Sequence, residues 1–176
     1  MKKILAIGLS ALLLAACSTV TKIDKSYYTH VGFWHEDNVS KSGNYRRGEF
    51  VPVNTQVRLI EVADSKKGTS FTLELPEHTK PVTVETRREY TKGPAEDIQA
   101  KLFGDKPVAL SPAYANDIKA GRIVVGMSKA DVLAAIGYPP EHKTPSLDDE
   151  QWTFWISRFD KQLIVFDKGR VKQIID

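Results

Sequence analysis

The spacing of apolar residues changes several times along the chain, and each change marks a part. The first 17 residues, MKKILAIGLSALLLAAC, read as a basic start at Lys2 and Lys3, an apolar run over 4–14, and small residues leading into Cys17. That order is the layout of a secretory signal. The run is shorter than the roughly 20 apolar residues that cross a bilayer core, so it predicts export rather than a membrane span. Residues 18–43 are polar and aperiodic, and their start predicts a tether. Tyr27, Tyr28, Phe33 and Trp34 make the rest too aromatic for a pure linker, which predicts docking onto the part that follows.

From 44 to about 85 the period is two. SFTLEL sets Phe71, Leu73 and Leu75 on one face, with Ser70, Thr72 and Glu74 on the other. QVRLIEV and PVTVET are rich in β-branched residues, and DSKKG and PEHTKP between them are turn-forming. This spacing predicts a small antiparallel sheet or an SH3-like barrel. A helix is predicted over 94–103, with Pro94 in its first turn, Ala95, Ile98 and Leu102 on one face, and Gly104 as its stop.

From 111 the pattern turns helical and then returns to strands. Ser111 and Pro112 start a helix on which Tyr114 and Ile118 are spaced i, i+4, and Gly121 ends it. Ser128 is placed to cap the next helix. Asp131 can return a bond to it, and Met127 and Val132 can close a hydrophobic staple around it. Leu133 and Ile136 continue the apolar face, and Gly137, Pro139 and Pro140 stop it. DDEQWTFWIS, KQLIVFD and GRVKQIID are three strand-like runs, joined closely enough to predict consecutive hairpins. Trp152, Phe154 and Ile156 share one face of the first, and Thr153, Trp155 and Ser157 the other.

The predicted fold class is therefore α+β. A signal peptide at 1–16 and a tether at 17–43 precede a β-rich domain at 44–110. Residues 111–176 form a second domain, in which two helices cover one face of a three-stranded antiparallel meander.

Charge and chemistry narrow the function. The chain has 25 basic and 22 acidic residues; removing Lys2 and Lys3 with the signal leaves 23 against 22, no electrostatic footprint for nucleic acid. Gly121, Gly126 and Ser128 have the outline of a phosphate-binding loop, but Met127 stands where that loop needs lysine. Ile123, Val124 and Val125 are stiff and apolar where an anion would be wrapped. Neither nucleotide nor other cofactor is predicted. His30, His35, Glu36 and Asp37 are the best metal-like cluster, but i, i+5 histidines share neither a helical nor a strand face. Further ligands would have to come from His78 or His142, far along the chain. The cluster is read as exposed polar residues flanking aromatics, with no metal. Asp148, Asp149 and Glu150 read as a solvated turn, and no nucleophile has an arguable base beside it. No enzyme activity is predicted.

Cys17 is the only cysteine, so it cannot form an internal disulfide. LAAC at 14–17 resembles the lipobox of bacterial lipoproteins, which implies that Cys17 is lipidated and becomes the first mature residue. The alternative is an ordinary secreted protein with a cysteine near its cleavage site. Ser18, rather than Asp, follows it; by resemblance to enterobacterial sorting, this implies the outer membrane.

IVVGMSKADVLAAIGYPP, then QWTFWIS, then LIVFDKGRVKQI, resemble the SmpA/OmlA lipoprotein family. That family includes the small lipoprotein of the outer-membrane β-barrel assembly machine. The resemblance covers the C-terminal domain and implies a β-lactamase-inhibitor-like architecture that binds proteins through its sheet. Typical members of that machine lack the β-rich region that precedes the module here. Trp155 on the second strand face, with Arg158 and Phe159 beside it, are the candidate contacts, because aromatics and arginine dominate interface energies; burial of Trp155 in the core is the alternative. The expected function is a non-catalytic outer-membrane lipoprotein that binds envelope proteins, anchored through Cys17. The alternative makes the β-rich domain a binder of cell-wall glycan or peptide.

Overall fold

The computed structural model describes residues 18–41 and 45–176. Cys17 and the signal segment lie outside the described residues. The described chain is mixed α+β, mostly sheet with three short helices.

Strands β1 (Thr19–Thr29), β5 (Gln56–Ser65), β6 (Gly68–Glu74) and β7 (Val82–Arg87) pair antiparallel in succession. β3 (Val39–Lys41) lies parallel to β7, and β8 (Phe103–Gly104) pairs with the end of β1, giving the order β3-β7-β6-β5-β1-β8. The alternation of SFTLEL places Phe71 and Leu73 out of solvent, together with Leu59, Val82 and Val57. Helix α1 (Ala95–Leu102) closes this core with Ile98, and Phe103 meets Phe71 edge-on at 5.7 Å.

The segment expected to begin as a tether is instead strand β1. Its polarity concealed it, because a backbone ladder needs no apolar side chains. Of its apolar side chains Ile23 and Tyr27 pack against the core, while Lys22 pairs with Glu61 (2.6 Å) and Asp24 with Arg58 (2.7 Å) across the ladder. The register shifts between Lys22 and Lys25, where Asp24 takes a positive φ of 52°.

In the C-terminal part a 3₁₀ turn (Pro112–Tyr114) leads into α2 (Ala115–Lys119), and α3 (Lys129–Ile136) follows. Ser128 caps α3 through a reciprocal capping box: the Asp131 N–H donates to Ser128 Oγ at 3.1 Å, and Asp131 Oδ2 accepts from the Ser128 N–H at 2.9 Å. Strands β9 (Gln151–Trp155), β10 (Lys161–Asp167) and β11 (Arg170–Ile175) form an antiparallel sheet in the order β11-β10-β9. Trp152, Phe154, Ile164 and Phe166 from its inner face bury against Ile118, Val132 and Ile136 of the helices.

The packing does not divide at residue 110. Val53 and Trp34, from the first part of the chain, belong to the C-terminal core. A two-stranded ribbon, β2 (Phe33–His35) with β4 (Glu49–Val51), lies in the same first part. Beside it, Arg46 donates to Gln162 Oε1 at 2.7 Å on β10. Burial pulls the Arg46 guanidinium down to about 10, with the Asp176 carboxylate opposing.

Candidate functional site

The two faces of the C-terminal sheet differ in what covers them. Along β9 and β10 the residues between the core positions point away from the helices, as strand periodicity requires. Register aligns Trp155 with Lys161, Thr153 with Leu163 and Ile175, and Gln151 with Val165 and Gln173. Trp155, Leu163 and Val165 are half-buried, Ile175 is exposed, and none of the four belongs to either hydrophobic core. The result is an apolar stripe bordered by polar side chains. Lys161 holds its ammonium 4.7 Å from the centre of the Trp155 ring, so the stripe has a cationic edge.

The loop joining β9 to β10 adjoins the sheet, and its Arg158 lines a shallow cleft with Trp34, Tyr45 and Arg47. Ser157 Oγ donates to Asp160 Oδ2 at 2.6 Å and accepts the N–H groups of Phe159 (3.2 Å) and Asp160 (3.1 Å). The Ile156 N–H donates to the Asp160 carbonyl at 2.9 Å and closes the turn. These bonds hold a tip on which Phe159 is 84% exposed, with the Arg158 guanidinium 5.6 Å from its ring. An aromatic ring held in water by a bonded turn is pre-ordered, so covering it in a complex would remove apolar area from water at little ordering cost.

Trp155, Arg158 and Phe159 therefore share one hairpin, and Trp155 lies outside the core. Leu163, Val165 and Ile175 were not among the residues singled out from sequence. Their signal was present in KQLIVFD, where residues of both parities are apolar although only one face meets the helices.

A cleft of about 320 Å³ lies elsewhere, between β7, α1 and the loop that follows α3. Tyr90, Lys101, Tyr138 and Glu141 contribute polar atoms to it, and Val84 and Ile98 apolar floor. The loop is fixed by the Glu141 N–H, which donates to the Tyr90 carbonyl (3.0 Å), and by His142, which lies 4.7 Å from the Tyr90 ring. Burial pushes the Tyr138 phenol up.

The cluster read as exposed polar residues is only partly so. Glu36 is exposed and pairs with Arg47 at 3.3 Å, and His30 Nε2 lies 3.2 Å from the Lys106 carbonyl. His35 is a correction: its side chain is 3% exposed. It alternates with Trp34 on β2, so the strand turns it inward with Phe33. Burial pulls the His35 imidazole below its ordinary value, His78 acting in the same direction and Glu49 against it. Asp148, Asp149 and Glu150 are exposed and lie in a turn in which Asp149 accepts from the Ser146 N–H at 3.4 Å. Among the described residues no helix is long and apolar enough to cross a membrane. Comparison of the chain with protein-family models, with curated proteins and with solved structures found no match in any of the three.

Proposed function

We propose that the chain is a non-catalytic outer-membrane lipoprotein, anchored through lipid on Cys17, that binds envelope proteins as an accessory or relative of the β-barrel assembly machinery. The observation that carries the binding role is the face of the C-terminal sheet turned away from the helices: half-buried Trp155, Leu163 and Val165 with exposed Ile175 in one stripe, and Phe159 at 84% exposure in the adjoining hairpin loop. Such a stripe with a basic, aromatic rim has the composition of a protein interface. Two helices over one face of a three-stranded meander support the SmpA/OmlA resemblance, whose relatives bind proteins through the sheet. The anchor rests on the LAAC motif and the lone cysteine. Each buried acyl CH₂ contributes about 0.8 kcal/mol, and stable attachment takes more than one chain.

The test is affinity capture from detergent-solubilised envelopes with the full chain and with Phe159→Asp. Recovery of barrel-assembly proteins by the parent and their loss from the variant supports the reading. Equal recovery by both contradicts the assigned face. Fractionation of Cys17→Ser tests the anchor, since a variant that stays membrane-bound removes the reason for assigning lipid there.

The cleft favours a second reading, in which a cell-wall glycan or peptide binds the first part of the chain. Its volume of about 320 Å³ falls within the range of small-ligand sites, about 300–1,000 Å³. Retention on purified sacculi that is lost in Tyr138→Ala but kept in Phe159→Asp would favour it.

A further inference from the structure

We propose that His35, Glu49 and His78 form a site for one divalent transition-metal ion of the zinc class. The residues come from three separate places in the sequence, which is why their spacing did not reveal it. His35 ends β2 and Glu49 begins β4, and the ribbon register sets them directly opposite one another. Gly48 permits this approach: its φ is +81°, and a Cβ there would lie 2.1 Å from the His35 carbonyl oxygen. His78 sits in the loop between β6 and β7, where its N–H donates to the Leu75 carbonyl at 3.2 Å. The fold thus brings together two histidines 43 positions apart in the chain, with ring centres 5.2 Å apart.

The ligand atoms of the three residues all lie within 4.8 Å of one another. His35 Nε2 is 3.9 Å from Glu49 Oε2, and His78 Nε2 is 3.8 Å from the same oxygen. Neither distance is a hydrogen bond, so internal bonding does not account for the arrangement. The independent sign of a ligand is His35 Nε2 itself. It is buried and has no hydrogen-bond partner among the described residues. Leaving a buried polar atom unpaired is destabilising, and a metal ion at this point would satisfy it.

The donor set fixes the chemistry. Two imidazole nitrogens and one carboxylate oxygen suit zinc and its neighbours, whereas calcium and magnesium favour all-oxygen shells. Bonds of about 2.0–2.2 Å need ligand atoms roughly 3.3 Å apart in a tetrahedron. Contraction to that size falls to Glu49, whose side chain is 73% exposed, and to His78 at 24%, while buried His35 serves as the fixed anchor. The fourth position is left to water.

The test is calorimetric titration of the untagged full chain in detergent with Zn²⁺, after stripping with a chelator. About one equivalent should bind, and His78→Ala and Glu49→Gln should each weaken binding by more than about tenfold. Cys17→Ser should leave it unchanged, which separates the site from the thiol. Zn²⁺ should also raise the thermal midpoint of the parent and of Cys17→Ser, but not of His78→Ala. Both readouts avoid the buried His35, whose replacement endangers the fold. Absence of saturable binding, or equal affinity in parent, His78→Ala and Glu49→Gln, would overturn the proposal.

Discussion

The backbone N–H of Gly32 donates to the carbonyl of Ala134 at 2.9 Å, fastening the link between β1 and β2 to the last turn of α3. A Cβ at Gly32 would lie 2.5 Å from the Ala135 carbonyl oxygen and 2.7 Å from the Phe50 ring. Gly32→Ala must therefore push the two parts of the chain apart. Overpacking of this kind costs about 1–3 kcal/mol, and denaturant unfolding should show that loss. With Val53 and Trp34 also shared across the seam, the parent should unfold in a single transition. Two separated transitions would show that the cores are independent.

The capping box of α3 gives a second prediction. Ser128→Ala removes the acceptor for the Asp131 N–H and should cost about 1 kcal/mol. Guanidinium unfolding of the variant should show a lower midpoint with an unchanged slope.

Asp131 makes the same site sensitive to acid. Burial raises its pKa, but hydrogen bonds from Ser111 and Ser128 outweigh that, so the carboxyl lies below its ordinary value. A carboxyl depressed in the folded state binds its proton more readily when unfolded. Its contribution is complete above the unfolded pKa, about 3.9, and is lost as pH falls through the lower folded value. Asp131→Asn should flatten the stability profile in that acid window and leave its shape near neutrality unchanged.

Trp152 is fully buried, yet its indole Nε1 has no hydrogen-bond partner among the described residues. Trp152→Phe removes that unpaired donor along with part of the ring, so the two effects oppose each other. The expected loss is well below the roughly 3–5 kcal/mol of a Trp→Ala truncation. Comparing Trp152→Phe with Trp152→Ala by thermal unfolding checks the difference.

How much of this could be read from sequence depends on how far apart the deciding residues are. SFTLEL and QWTFWIS carry their burial alternation within six or seven residues, and GMSKADVL carries its cap, return bond and staple within eight. These were legible because their physics is local. β1 was not, because its pairing with β5 rests on backbone bonds and on charged partners such as Lys22 and Glu61, which leave no apolar alternation. At the candidate site Phe159 and Trp155 stood out as aromatics without a local burial pattern. Leu163 and Val165 did not, because only the placement of the helices decides which face of β10 is covered. His35 and His78 meet through the loop between β6 and β7, and no spacing rule anticipates that.

The exposed tip separates binding from folding. Phe159 is 84% exposed, so Phe159→Ala should change stability by less than about 0.5 kcal/mol. Partner capture should nevertheless fall if Phe159 is a binding hot spot, since truncating such an aromatic costs about 2 kcal/mol or more in binding. A variant that loses both together would make Phe159 a folding residue.

The most direct measurement of the central claim is photocrosslinking in intact envelopes. The reactive side chain is placed in turn at Leu163 on the face turned away from the helices, at Phe159 in the β9–β10 loop, and at Lys66 in the turn between β5 and β6. A protein-docking sheet predicts a discrete protein adduct from positions 163 and 159 and none from 66. Adducts from all three positions alike, or from none, would contradict the assignment of this face to a protein partner.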